Sequence, residues 1–250
     1  MRVNMLGVGI DAVTKQQALQ RVLRRMKEHK YTAIYTPNPI MIRHALRDSR
    51  FCRTLNRAHL NLPDGTGLIL AAKILELPLS HRVAGIELGE ALIGLAEREG
   101  LRVFLLGAKP HIADLAAQKL KKKHPRLIVC GTHHGYFSED DTPKICERIA
   151  STRTDILLVC LGSPRQERWI AANRPRGVLV SAALGGSLDV WAGNVARSPK
   201  VISHLGLEWL WRMCLEPRRL VGLADITVFL AAVLRERIER KAKGTPERVP

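Results

Sequence analysis

A chain of 250 residues that is 46% hydrophobic can bury a sizeable core and is not a disordered chain, and its 40 Lys and Arg against 23 Asp and Glu give it a net charge of +17. That charge implies attraction to something anionic: nucleic acid, an anionic membrane surface or phosphate-bearing substrates. The five cysteines form no Cys-x-x-Cys pair, which fits reduced, buried thiols in a cytosolic setting better than disulfides or a zinc site.

Met1-Arg2-Val3-Asn4-Met5 moves straight into a strand-like segment, without the long apolar core of a signal peptide. A strand over 33–35 leads into a helix over 40–46. A β-like stretch over 58–61 then stops at Leu62-Pro63-Asp64-Gly65-Thr66-Gly67, where an apolar helix-like run, 68–72, begins. Further on, a strand over 103–106 passes through Gly107 into a helix over 112–122. A strand over 127–130 precedes a helix over 144–150, a strand over 156–160 leads through Gly162 to a helix starting at Pro164, and 178–180 closes the series. Continuous apolar strands of this length suit a parallel sheet covered on both faces, so the expected fold is a Rossmann-like α/β/α sandwich with a mainly parallel sheet.

After about Ser198 the pattern changes: glycine turns thin out, tryptophan and arginine collect, and the rest reads as helices. The expected organisation is a body over 1–198 and a helical C-terminal appendage over 199–250. The longest apolar stretch, 226–234, is too short to span a bilayer and follows Asp225. The body is therefore expected in the cytoplasm, with any membrane contact peripheral.

Polar residues gather where strands end, the place where ligands bind in α/β proteins. Asp64 sits at such a junction; its other reading is a cap for the following helix. Thr36 and Asn38 are presented by a turn fixed by Pro37 and Pro39, with an ordinary helix N-cap as the alternative for Asn38. Gly107-Ala108-Lys109-Pro110 leads into a helix start whose N–H groups can receive a phosphate. Gln166 lies in the first turn of the helix after Gly162-Ser163-Pro164-Arg165. Gly185 and Gly186 allow close backbone approach to a ligand, and Asp189 can hold ribose hydroxyls.

In order along the chain, Thr36-Pro37-Asn38, Pro63-Asp64-Gly65-Thr66-Gly67, Arg82-Val83-Ala84-Gly85, Gly162-Ser163-Pro164-Arg165-Gln166-Glu167 and Gly185-Gly186-Ser187-Leu188-Asp189 resemble the signatures of the WecG/TagA/CpsF glycosyltransferases. The tail segments Gly206-Leu207-Glu208-Trp209-Leu210-Trp211-Arg212 and Glu216-Pro217-Arg218-Arg219 are similar to theirs as well. The resemblance implies an inverting, membrane-associated enzyme that moves a sugar from a UDP donor to an undecaprenyl-diphosphate-linked sugar. The arrangement looks nearest to the teichoic-acid branch, whose donor is UDP-N-acetylmannosamine. Asp64 matches the family's proposed base, Thr36, Asn38 and Gln166 match pocket positions, and Arg82 matches a functional cation, with a surface ion pair as its other reading.

Departing UDP carries negative charge that many glycosyltransferases neutralise with a metal held by an Asp-x-Asp motif, and this sequence has none. Glu139-Asp140-Asp141 reads as helix capping and dipole compensation, and no metal or other cofactor is expected. Arginines are the economical substitute, since their planar fork matches a diphosphate. Arg212 and Arg219, flanked by Trp209 and Trp211, are the expected source, brought over the site by docking at the inner face of the membrane. The apolar run 220–234 and the cations after it read as an interfacial anchor, or alternatively as helices packed permanently on the body. Apolar surface beneath such a tail also gives a route to a homo-oligomer.

Two other classes fit less well. A nucleic-acid-binding module would suit the charge, but aromatic residues are only 4% and no basic-aromatic reading motif occurs. A nicotinamide-dependent oxidoreductase would need a Gly-x-Gly-x-x-Gly turn at a strand–helix junction, which is missing.

Overall fold

The computed structural model describes residues 1–195 and 221–243. The chain opens with an antiparallel hairpin, β1 (Arg2–Met5) and β2 (Val8–Asp11), followed by α1 (Lys15–Lys27). Next come β3 (Thr32–Tyr35), α2 (Pro39–Arg47), α3 (Ser49–Asn56), β4 (Leu60–Asn61), α4 (Thr66–Ile74) and α5 (Gly85–Glu99). The second half runs β5 (Arg102–Gly107), α6 (Ile112–Lys123), β6 (Ile128–His133), α7 (Thr142–Ser151), β7 (Ile156–Cys160), α8 (Arg165–Ala172), β8 (Val180–Ala183) and α9 (Ser187–Trp191). The last described helix, α10, is Val221–Lys243.

Six strands form one parallel sheet in the order β4-β3-β8-β7-β5-β6. Helices cover both faces, which is why the inner strands are apolar without interruption rather than alternating. Side chains still point to opposite faces in turn: Phe104 and Leu106 join the core with α2, α3, α4, α7 and α8, whereas Val103 and Leu105 join that with α1, α5, α6 and α9. The hairpin packs beside β4 and is tied there by Asp11, whose buried carboxylate accepts the Asn61 N–H at 2.8 Å. This is the expected Rossmann-like α/β/α sandwich.

Several boundaries differ from the sequence expectation. β6 runs to His133, not Cys130, because its partner β5 continues to Gly107 and supplies hydrogen bonds that hydropathy does not reveal. β8 occupies Val180–Ala183 rather than 178–180, set by pairing with β3 and β7. α6 starts at Ile112, so Pro110 lies in the preceding turn and not in the first helical turn.

α10 lies against α2 and α4, and its Phe229 and Val233 are fully buried in the core on that side. Arg43 of α2 and Asp225 of α10 form an ion pair at 3.0 Å, both largely shielded from solvent. Farther along, the Arg237 guanidinium donates to the Ile74 carbonyl at 2.7 Å. No described helix is long and apolar enough to cross a membrane.

Candidate active site

All six strands of a parallel sheet end on one side, so the rim collects the polar turns in the order Asp64 (β4), Thr36 and Asn38 (β3), Gly185 (β8), Gln166 (β7) and Gly107 (β5). From β4 to β5 is four strand spacings, about 19 Å at roughly 4.8 Å each. The rim therefore suits an extended ligand, touched by different strands along its length.

Asp64 does not cap α4. The N-cap of that helix is Gly65, with φ of 90° and no side-chain cap bond. The Asp64 backbone N–H instead donates to the Pro37 carbonyl at 2.8 Å, and its carboxylate Oδ2 accepts the backbone N–H of Gly85 at 3.4 Å. Gly85 is the first residue of the 15-residue helix α5, so the positive end of a long helix faces the carboxylate. Thr36 completes the group: a Cβ built on Gly85 would stand 3.2 Å from Thr36 Oγ1 and 3.7 Å from Asp64 Oδ2. The Thr36 hydroxyl itself donates to the Ala183 carbonyl at 3.4 Å.

Asn38 takes the capping role that was its alternative reading: its Oδ1 accepts the Met41 N–H at 3.0 Å at the start of α2. Its side-chain amide nitrogen is the part that can serve a ligand. Arg82 approaches Glu87 at 3.7 Å, a loose ion pair in the first turn of α5, with an Arg82 side chain only 17% exposed.

On the β7–β8 side, Gln166 and Glu167 are buried in the first turn of α8. Gln166 Oε1 accepts the Gly185 N–H at 3.0 Å, which joins the exits of two neighbouring strands. No described atom lies within 4 Å of a Cβ built on Gly162, Gly185 or Gly186, so these turns leave open space above the sheet. Asp189 lies in α9, and the turn before it holds Gly185 with φ of 56°, a conformation suited to glycine.

Gly107 is explained first by packing. With φ of 139°, a Cβ there would fall 2.2 Å from the Cys160 carbonyl oxygen, so β5 and β7 leave the sheet in backbone contact. The turn continues with Ala108 and His111 at φ of 59° and 68°, a strained path into α6. Cys160 beside it is buried, and burial pushes its thiol up to about 12, which makes it a neutral wall rather than a nucleophile. The described cysteines, Cys52, Cys130, Cys146 and Cys160, are all free. Asp141 does not cap α7; its carboxylate turns back to accept from the Ser138 N–H at 2.9 Å and the Ser138 hydroxyl at 2.7 Å, which hold it below the usual carboxylate range.

Sequence reasoning missed three parts of this rim. It did not identify α5, although Ile86, Gly89, Ile93 and Ala96 recur at helical spacing on one buried face, because three glycines dilute the pattern. It quoted Glu167 only as a neighbour of Gln166. It also passed over the turn at 135–137 after β6, where Arg165 donates to the Gly135 and Phe137 carbonyls at 2.6 and 2.8 Å and covers the Phe137 ring, leaving Tyr136 65% exposed at the edge of the rim. Arg212 and Arg219 lie outside the described residues.

A one-sided rim with a carboxylate at a helix N-terminus, neutral hydrogen-bonders and glycine turns has the make-up of a group-transfer site for a phosphorylated ligand. The chain matches the glycosyl transferase WecG/TagA/CpsF family over residues 3–243 and belongs to it. It is similar to the N-acetylglucosaminyldiphosphoundecaprenol N-acetyl-beta-D-mannosaminyltransferase of Staphylococcus aureus strain NCTC 8325 / PS 47, with 31% identity over 247 residues, 97% of this chain and 96% of the relative. The enzymes of the same description from strains COL and MRSA252 show the same 31% identity and coverage.

Proposed function

We propose that the chain transfers N-acetylmannosamine, with inversion, from UDP-N-acetylmannosamine to N-acetylglucosaminyl-diphosphoundecaprenol, forming the β-1,4 linkage of a wall teichoic acid linkage unit. The observation that carries this reading is the position of Asp64, a carboxylate on the rim that accepts the first N–H of α5 at Gly85, the residue Thr36 also flanks, while the N-cap of α4 is Gly65. The names of the similar S. aureus enzymes support the choice of donor and acceptor.

In an inverting transfer the acceptor hydroxyl oxygen attacks the anomeric carbon from one face, and the bond to UDP breaks on the other. Asp64 accepts the hydroxyl proton as the new bond forms, the part of a general base. Thr36, Asn38 and Gln166 orient the sugar through neutral hydrogen bonds, so their part is positioning more than chemistry. UDP departs with the electron pair, and Arg82, Arg212 and Arg219 supply the positive charge that meets it. Gly107, Gly185, Gly186 and Asp189 line the nucleotide end of the rim.

A lipid-linked acceptor is consistent with work at the inner face of the membrane, where a net charge of +17 favours anionic lipid. Removing the whole chain after Ser198 is a poor test of the tail arginines, because it also strips Phe229 and Val233 from the core. Substituting Arg212 and Arg219 by Ala keeps Phe229 and Val233 in the chain and is expected to lower transfer at least tenfold.

The deciding experiment is a donor panel with a lipid-diphosphate acceptor: UDP-N-acetylmannosamine, its uronate, UDP-glucose and UDP-glucuronate, with Asp64→Asn as control. Transfer from UDP-N-acetylmannosamine, reduced by about a hundredfold or more in Asp64→Asn, is the expected result. Use of another donor would reassign the substrate, and an unimpaired Asp64→Asn enzyme would remove the base.

A further inference from the structure

We propose that Glu167 is a positioning residue that sets the direction of the Gln166 amide, so that Gln166 meets the donor with an N–H and not with its carbonyl oxygen. This inference rests on the transferase reading of the rim. A backbone N–H can only donate, so the Gln166 atom that Gly185 N meets at 3.0 Å is the amide oxygen. At the other end of the same amide, Nε2 donates to Glu167 Oε1 at 2.7 Å. Turning the amide over would set N–H against N–H at one end and oxygen against oxygen at the other. One Nε2 hydrogen remains, without a partner among the described residues.

The burial is unusual for two consecutive long polar side chains: Gln166 is 4% exposed and Glu167 0%. A carboxyl there costs desolvation that a residue serving only the helix surface would not incur. Glu167 has its own anchor, since the Tyr35 hydroxyl donates to its backbone carbonyl at 3.1 Å and ties α8 to the strand that continues into Thr36. Burial pushes the Glu167 carboxyl above its ordinary range, and the hydrogen bond from Gln166 opposes this. Glu167 Oε2 has no hydrogen-bond partner among the described residues. In either protonation state Oε1 remains an acceptor for Gln166.

The test is a double-mutant cycle in the full chain, read by kcat/KM with UDP-N-acetylmannosamine and, independently, by calorimetric binding of that donor. Glu167→Leu removes the acceptor and is expected to lower both readouts roughly tenfold to a hundredfold. Glu167→Gln keeps an oxygen that can accept from Nε2 and restores most of the loss. In a Gln166→Ala background, Glu167→Leu has no further effect, because no amide is left to orient. An unimpaired Glu167→Leu enzyme, or losses that multiply in the double variant, would overturn the proposal. If Glu167→Leu does not fold, the exchanged pair Gln166→Glu with Glu167→Gln decides. It keeps both hydrogen bonds and is expected to fold, yet to lose donor binding as Gln166→Ala does; wild-type binding by the exchanged pair overturns the proposal. A wild-type chain that binds the donor without transferring it would sink the transferase reading while the binding arm still scores Glu167. A chain that neither binds nor transfers from any donor of the panel overturns both.

Discussion

Arg43 of α2 and Asp225 of α10 meet with Nε 3.0 Å from Oδ1, and His44 stands 3.9 Å from the other carboxylate oxygen. The Arg43 N–H does not point along the line of contact, so the pair is ionic more than a well-aligned hydrogen bond. It fastens α10 to the helix whose N-cap is Asn38.

Breaking that pair should loosen α10 before it unfolds the sheet. Asp225→Ala is expected to lower stability by about 2 kcal/mol, between the values for exposed and buried pairs. Hydrogen exchange should quicken in α10 and in α2, with β5 and β7 unchanged; equal protection throughout would show that the pair does not hold the helix.

Gly107→Ala places a methyl group 2.2 Å from the Cys160 carbonyl oxygen at a backbone angle that only glycine adopts freely. The expected loss is about 3 kcal/mol or more in chemical denaturation, from strain and overpacking together. Gly185→Ala, whose Cβ would meet no described atom, is expected to lose less, from its φ of 56° alone.

Gly85→Ala separates stability from chemistry. Its backbone N–H to Asp64 is retained and alanine favours a helix, so thermal stability should stay within about 1 kcal/mol of wild type. The added methyl group would press on Thr36 Oγ1 at 3.2 Å, and transfer is expected to fall about tenfold. Equal activity in the two enzymes would detach Thr36 from the site.

Glu167 makes a pH-dependent contribution of known sign. Burial raises its folded-state value above the unfolded one near 4.3, so its share of stability is intact below that pH and is lost as pH rises through the raised value. The stability of Glu167→Gln relative to wild type should therefore shift in favour of the variant as pH rises above about 4.3, and should not change below it. Denaturation curves over pH 3.5–8, a range of about four units around the ordinary carboxylate value, would show a flat difference if the carboxyl were solvated.

The inner strands were legible in the sequence because burial on both faces demands unbroken apolar runs: 156–160 coincides with β7, and 103–106 lies inside β5. Their order in the sheet was not legible, since nothing local states that β8 pairs with β3 across nearly the whole described body. Asp64 was visible as a rim carboxylate, but its partner was not. Which helix it faces depends on the Val83 N–H reaching the Pro63 carbonyl at 2.8 Å and turning α5 towards it, a contact made only in the folded chain. Gln166 was visible as an amide in the first turn of a helix, whereas its burial and its link to Glu167 needed the geometry of Gly185.

Six strands that all run the same way divide the molecule by exchange tolerance. Asp64, Thr36, Gln166 and Gly185 stand at one end of the strands, while Arg102, Ile128 and Ile156 begin them at the other. On the proposed reading, a change of donor sugar would call for new side chains in the turns of the first end. Surface charges around the second end can be redrawn for solubility or labelling without passing near the reacting atoms.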